Sequence, residues 1–121
     1  MSYANEEIEV LKHDDFCKEK LHFEGLCIDK YKRIVVRDEK EIELTYTEFE
    51  ILLLLAQNAG IVFSKEQIYE AVFCYDGTAD DTAVTQHIKN IRAKLRTAGV
   101  AAPETVLKTI WGVGYQWKSE T

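Results

Sequence analysis

The chain has 121 residues, 46% hydrophobic and 11% aromatic, with a formal net charge of -6. That length holds one compact domain with a single core, and the apolar content excludes a disordered chain. The acidic balance counts against a nonspecific polyanion binder, and the longest apolar run, Ile51 to Ala56, falls far short of the roughly 20 residues that span a bilayer.

Residues 1 to 20 are polar and of mixed charge and read as a tail or linker. Their start, MSYANEEIEV, lacks the basic segment and apolar stretch of a signal peptide, so the expected location is the cytoplasm. The domain is expected over residues 21–118. From Leu21 the chain breaks into short extended runs separated by turn residues. Leu21-His22-Phe23 and Leu26-Cys27-Ile28 flank Glu24-Gly25; Ile34-Val35-Val36 and Ile42-Glu43-Leu44 flank Asp38-Glu39-Lys40. These runs predict four antiparallel strands with one face in water.

Thr45-x-x-Glu48 is a capping box, with Leu44 and Phe49 placed as its hydrophobic staple. Phe49, Leu52, Leu53 and Ala56 recur at core spacing, and the helix is expected to stop near Asn58-Ala59-Gly60. Ser64-x-x-Gln67 repeats the box, with Phe63 and Ile68 as staple, and opens a second helix that runs to about Phe73. Cys74 to Asp80, with Gly77, reads as a loop.

A third helix starts near Asp80 or Asp81, either of which can cap it. Val84, Ile88, Ile91 and Leu95 form an apolar stripe. At about 100° per residue, Thr82, Gln86, Lys89, Asn90 and Ala93 fall on the opposite side. Arg92 and Arg96 lie toward one flank, His87 and Lys94 toward the other. The helix is expected to end near Gly99, with Pro103 preventing its resumption. Val106 to Ile110 and Tyr115 to Trp117 then pair as a hairpin closed by Trp111-Gly112-Val113-Gly114. Gly112 and Gly114 supply positive φ or close backbone approach, and Tyr115 and Trp117 read as core.

Charge is unevenly spread. Thr82 to Lys118 holds six Lys or Arg (Lys89, Arg92, Lys94, Arg96, Lys108, Lys118) against Glu104 alone; subtracting that local +5 from the total of -6 leaves -11 for the rest. The third helix offers what a major-groove reader needs. Gln86 and Asn90 are amides able to bond adenine bidentately, and Lys89 with the flanking Arg92, Lys94, Arg96 and His87 can reach phosphates. The plain alternative is a solvated amphipathic face, but it carries no acid after Asp81, and Ala93 permits close approach. Trp111 at the hairpin tip has no evident core partner.

Enzymatic and metal readings find no support. His13, Cys17, His22 and Cys27 lack the tight spacings of structural zinc, and the odd set of Cys17, Cys27 and Cys74 does not suggest a disulfide framework. No Gly-rich phosphate loop or nucleophile elbow occurs, and Glu6-Glu7 and Asp14-Asp15 lie in the solvated tail. No catalytic residue and no cofactor is expected.

These residues resemble the C-terminal effector domain of OmpR/PhoB-type response regulators. LHFEGLCIDKYKRIVV and IELTYTEFEILLLL are similar to that family's N-terminal sheet and first helix. GIVFSKEQIYEAVF resembles the second helix, VTQHIKNIRAKLR the recognition helix and LKTIWGVGYQW the wing. The resemblance implies an α+β winged helix-turn-helix: a four-stranded N-terminal sheet, three helices and a C-terminal β-hairpin wing. It implies sequence-specific binding of double-stranded DNA for transcription regulation in a two-component system, the third helix (about 81–97) in the major groove and the wing (about 106–117) at the minor groove. Carried over by position, Gln86, Lys89 and Asn90 face bases, while Lys65, Thr82, His87, Arg92 and Thr109 hold the backbone. The 74–79 loop corresponds to a segment that touches RNA polymerase in some members, and members bind as two head-to-tail copies on direct repeats.

Two departures stand out. The family often has Arg where Asn90 and Trp111 stand here, which removes a guanine contact and a minor-groove cation. A typical member also carries a phosphorylated receiver domain, addressed by a sensor kinase, for which 121 residues leave no room; this implies a fragment or a stand-alone effector. The competing reading is a winged-helix protein-interaction module without specific DNA binding.

Overall fold

A computed structural model describes residues 20–23, 25–73 and 82–119. Residues 1–19 of the expected tail, the Cys74 to Asp80 loop and the Asp80 or Asp81 cap lie outside the described residues. Four strands come first: β1 (Lys20–Phe23), β2 (Leu26–Asp29), β3 (Ile34–Arg37) and β4 (Lys40–Ile42). They form an antiparallel meander in sequence order. Its register aligns Leu21, Ile28, Val35 and Ile42 in one row across all four strands, and these side chains face the core. His22, Cys27, Val36 and Glu41 make the next row, on the other face.

The β3–β4 turn differs from the sequence expectation. Lys40 is already strand, paired with Arg37, and Ile42 ends β4. The reason is local: Asp38 and Glu39 both take positive φ, 51° and 68°, so two residues suffice to reverse the chain. Leu44 is thereby released from the sheet and packs against the core just before the first helix.

Helix α1 (Tyr46–Gln57) opens with the complete capping box: the Glu48 amide donates to Thr45 Oγ1, and the Thr45 amide donates to Glu48 Oε1. Its buried residues are wider than the expected stripe. Phe49, Leu52 and Ala56 are buried as read, Ile51 and Leu55 are fully buried as well, and Leu53 is only half-buried. The helix lies between the sheet and the other helices, so more than one face is covered. The Ser64-Gln67 box likewise forms both bonds ahead of α2 (Lys65–Phe73).

Helix α3 (Thr82–Thr97) buries Val84, Ile88, Ile91 and Leu95, the stripe read from the sequence. Each of those side chains contributes roughly 1.5–3 kcal/mol by leaving water. Pro103 does not bar a helix; it starts one. It occupies the first turn of the short α4 (Pro103–Val106), where its missing N–H is no loss, so Val106 is helical and buried. Strands β6 (Leu107–Ile110) and β7 (Gly114–Trp117) then form the hairpin. The hairpin is joined by a strand that sequence reading missed: β5 (Val62–Phe63) pairs with β7 at Gln116 and Tyr115, making a three-stranded sheet.

Glu48 is buried to 4% side-chain exposure, and the Lys94 ammonium of α3 lies 2.6 Å from its Oε1. Burial by itself would raise the Glu48 pKa. The Lys94 hydrogen bond, the Thr45 amide and the Lys94 and His87 charges outweigh it and hold the carboxyl below its ordinary 4.5. A carboxylate held below its unfolded value adds stability above about pH 4.5 and loses it as pH falls through the depressed value. Glu48→Gln keeps the capping box but leaves the ammonium, 37% exposed, without its charge partner. Allowing for that exposure, it is expected to cost about 1–2 kcal/mol at neutral pH. In urea unfolding, the gap to the wild type should close as the solution is acidified below the Glu48 pKa; a gap independent of pH would contradict the pairing.

The two glycines of the wing turn have different tasks. Gly112 has φ of 80° with open space around it, whereas a Cβ on Gly114 would sit 1.9 Å from the Phe63 carbonyl oxygen. Gly112→Ala should therefore cost about 1–2 kcal/mol of backbone strain. Gly114→Ala should cost more, about 2–4 kcal/mol, because β5 and β7 must separate. Equal losses in urea unfolding would show that the close approach is not what limits this position.

Candidate nucleic-acid interface

The outward side of α3 presents Thr82, Gln86, Lys89 and Ala93 to solvent, with Asn90 half-exposed beside them. No acid occurs from Thr82 to Thr97. Gln86 and Asn90 are joined: Gln86 Nε2 donates to Asn90 Oδ1 at 3.1 Å, so the two amides one turn apart are set as a unit. Lys89 makes no ion pair among the described residues, and neither does Lys65 at the start of α2. Both line a groove of about 650 Å³ between α3 and the wing. Arg92 of α3 and Thr109 and Trp111 of the hairpin line it too, and Glu66 is its one acid.

The flanking cations expected at the phosphates have partners within the protein. Arg92 reaches across to the wing, donating from Nε and Nη2 to the Leu107 carbonyl at 3.0 and 2.6 Å and from Nη2 to Thr109 Oγ1 at 2.8 Å. Burial lowers its pKa, opposed by Tyr115 and Glu104, and its guanidinium lies 5.9 Å from the Tyr115 ring centre. Lys94 is held by Glu48, and Arg96 pairs with Glu104 across to α4. His87 turns toward α2, its ring 6.1 Å from that of Phe73, with Nδ1 buried and unpartnered. Thr109 receives the Arg92 bond.

The physical reason is position on the helix. Arg92 follows Ile91 and Lys94 precedes Leu95, so both side chains leave α3 at the border of the buried stripe, where neighbouring elements are within reach of a long stem. That border position was the available signal in the sequence. What the sequence did not show was which acceptors stand there.

At the wing tip Trp111 is 90% exposed and Val113 55%. The turn is closed by the Val113 amide donating to the Ile110 carbonyl at 2.9 Å. Tyr115 and Trp117 are buried, as their strand face implied. A second anchor sits at the other end of α3, where Arg37 of β3 donates to the Ala98 carbonyl at 3.4 Å, a cation at a helix C-terminus. Among the described residues no group of three His, Cys, Asp or Glu is placed to hold a metal, and no helix is long and apolar enough to cross a membrane.

Comparison with known proteins shows the family and the fold. The family described as "Transcriptional regulatory protein, C terminal" matches residues 39–117. The regulatory protein VanRB of Enterococcus faecalis is 48% identical over 82 residues, covering 68% of this chain and 34% of VanRB. The transcriptional regulatory protein SrrA of Staphylococcus aureus is 32% identical over 109 residues, covering 90% of this chain and 45% of SrrA. The chain thus spans less than half the length of either relative. Among solved structures, the DNA-binding domain of CpxR from E. coli superposes with a TM-score of 0.70 at 33% identity, over 84% of this chain and 98% of that one. The Klebsiella pneumoniae RstA DNA-binding domain, in complex with the RstA box, gives 0.70 at 26% identity, over 83% and 97%.

If Arg92 is the brace between α3 and the wing, removing it should loosen the wing before anything binds. Arg92→Ala is expected to cost about 1–2 kcal/mol and to speed amide hydrogen exchange over residues 107–117 about tenfold. Arg92→Lys, which keeps the charge but not the fork, should behave similarly. Unchanged wing exchange in both variants would remove the brace.

Proposed function

The chain belongs to the C-terminal effector-domain family of OmpR/PhoB-type transcriptional regulatory proteins, and from that premise we propose that it binds double-stranded DNA sequence-specifically to regulate transcription. The observation that carries this reading is the acid-free face of α3, held at a fixed angle to the wing across a groove with Lys65 and Lys89 on its walls. The RstA domain was solved in complex with the RstA box, which supports DNA binding here; in this reading α3 enters the major groove and the wing lies at the minor groove.

In this reading Gln86, Lys89 and Asn90 meet base edges, and Lys65 and Thr82 meet the phosphate backbone. His87, Arg92, Lys94, Arg96 and Thr109 contribute chiefly by positioning, since each is engaged within the protein. The protein acts by binding and not by catalysis, in the cytoplasm where the DNA is. Two copies head to tail on direct repeats, and RNA polymerase at the 74–79 loop, are the partners the family resemblance implies. A receiver domain and a sensor kinase enter only if this chain is a fragment of a longer regulator; it spans less than half the length of VanRB or SrrA.

Selection from random duplexes at moderate salt is expected to enrich one motif. Lys89→Ala with Asn90→Ala should abolish discrimination between that motif and scrambled DNA, by about 1–3 kcal/mol per lost base contact. Loss of Lys65, placed at the phosphates, should weaken binding to all sequences alike and lower its salt dependence by about one charge. Retained specificity in the double variant would sink the groove assignment. Absence of any enriched motif would favour a protein-interaction module.

A further inference from the structure

We propose that Trp111 is an apolar wedge, carried by the wing into the minor groove, where it unstacks a base step and bends the duplex toward the major groove. The inference rests on the DNA-binding reading above and adds a mechanical activity to it.

Trp111 and Trp117 have opposite fates: one is 90% exposed, the other 2%. The tip that carries the exposed indole, Trp111-Gly112-Val113, holds no charge, while the groove it borders has Lys65, Lys89 and Arg92 against the single acid Glu66. Electrostatic attraction to phosphate therefore ends at the groove wall, and what projects past it is a flat apolar ring. The tip is slender, with nothing within 4 Å of where a Cβ on Gly112 would stand. It is also stiff. The Arg92 fork holds β6, the Gly114 backbone is pressed against Phe63, and the Val113 amide closes the turn.

A minor groove about 6 Å wide admits a planar ring edge-on. Apolar side chains inserted there unstack base steps and kink DNA, most readily at flexible pyrimidine–purine steps. The indole can then stack on an exposed base, a contact open to every base because each has a π-face. A protein partner fits less well. One indole and one valine, bordered by cations, are a small part of the roughly 800 Å² that each side of a specific interface buries.

The test uses the 121-residue chain and a duplex carrying the selected motif, labelled at both ends for energy transfer. The wild type is expected to bend the duplex by roughly 20–90°. Its long-wavelength emission, from water-exposed Trp111, should be quenched on binding. Trp111→Ala should bind about tenfold more weakly and leave the duplex straight. The emission of buried Trp117 should be unchanged in that variant, which checks its fold. A bound duplex that stays straight overturns the wedge, as does an equal bend with Trp111→Ala or unquenched Trp111 emission. Loss of association between copies in Trp111→Ala, with the bend intact, would assign the ring to a protein contact and also overturns it. If the wild type binds no duplex, the DNA-binding reading falls first and the wedge with it.

Discussion

One carboxylate ties the first helix of this fold to the third. Glu48 accepts the Thr45 amide and so closes the N-terminus of α1, and the same oxygen accepts the Lys94 ammonium from α3. A buried carboxylate left unpaired would be expensive, so α3 is strongly favoured in the rotation that delivers Lys94 to it. That rotation also buries Val84, Ile88, Ile91 and Leu95 and turns Gln86 and Lys89 outward. The outward face of α3 is thus set partly by an ion pair elsewhere on the helix.

The second constraint is Arg92. Its fork spans the Leu107 carbonyl and the Thr109 hydroxyl, joining α3 to β6 directly. Meanwhile β5 and β7 pair so closely at Gly114 that only glycine fits. Helix and wing consequently form one rigid clamp around the groove. Arg92, Lys94 and Arg96, which the sequence leaves as flanking cations, each have a partner within the protein.

Much of the architecture was legible because its signals are local. Each capping box satisfies its own amides within four residues, so Thr45-Glu48 and Ser64-Gln67 announced their helices without tertiary help. The α3 stripe was equally plain, since its period is a property of the helix. Errors came where a short-range rule had two outcomes. Pro103 can stop a helix or start one: α3 ends at Thr97 without resuming, and Pro103 opens the separate α4. Asp38 and Glu39 do not advertise a left-handed turn as Asn-Gly would, so β4 was placed two residues late. The pairing of β5 joins residues more than fifty positions apart, and Val62-Phe63 is too short to read as a strand alone.

By itself the sequence determined the three long helices, most of the strands, the core stripe, the amide-and-lysine face of α3 and the uncharged wing tip, because each follows from residue type and period along one segment. Only the tertiary structure decided what Arg92, Lys94, Arg96 and His87 do. Their long or flat side chains leave α3 at the border between core and solvent, where either water or a neighbouring element can claim them. Which one does so depends on acceptors, Glu48, Leu107, Thr109 and Glu104, and on a ring, Phe73, that the fold brings from elsewhere in the chain.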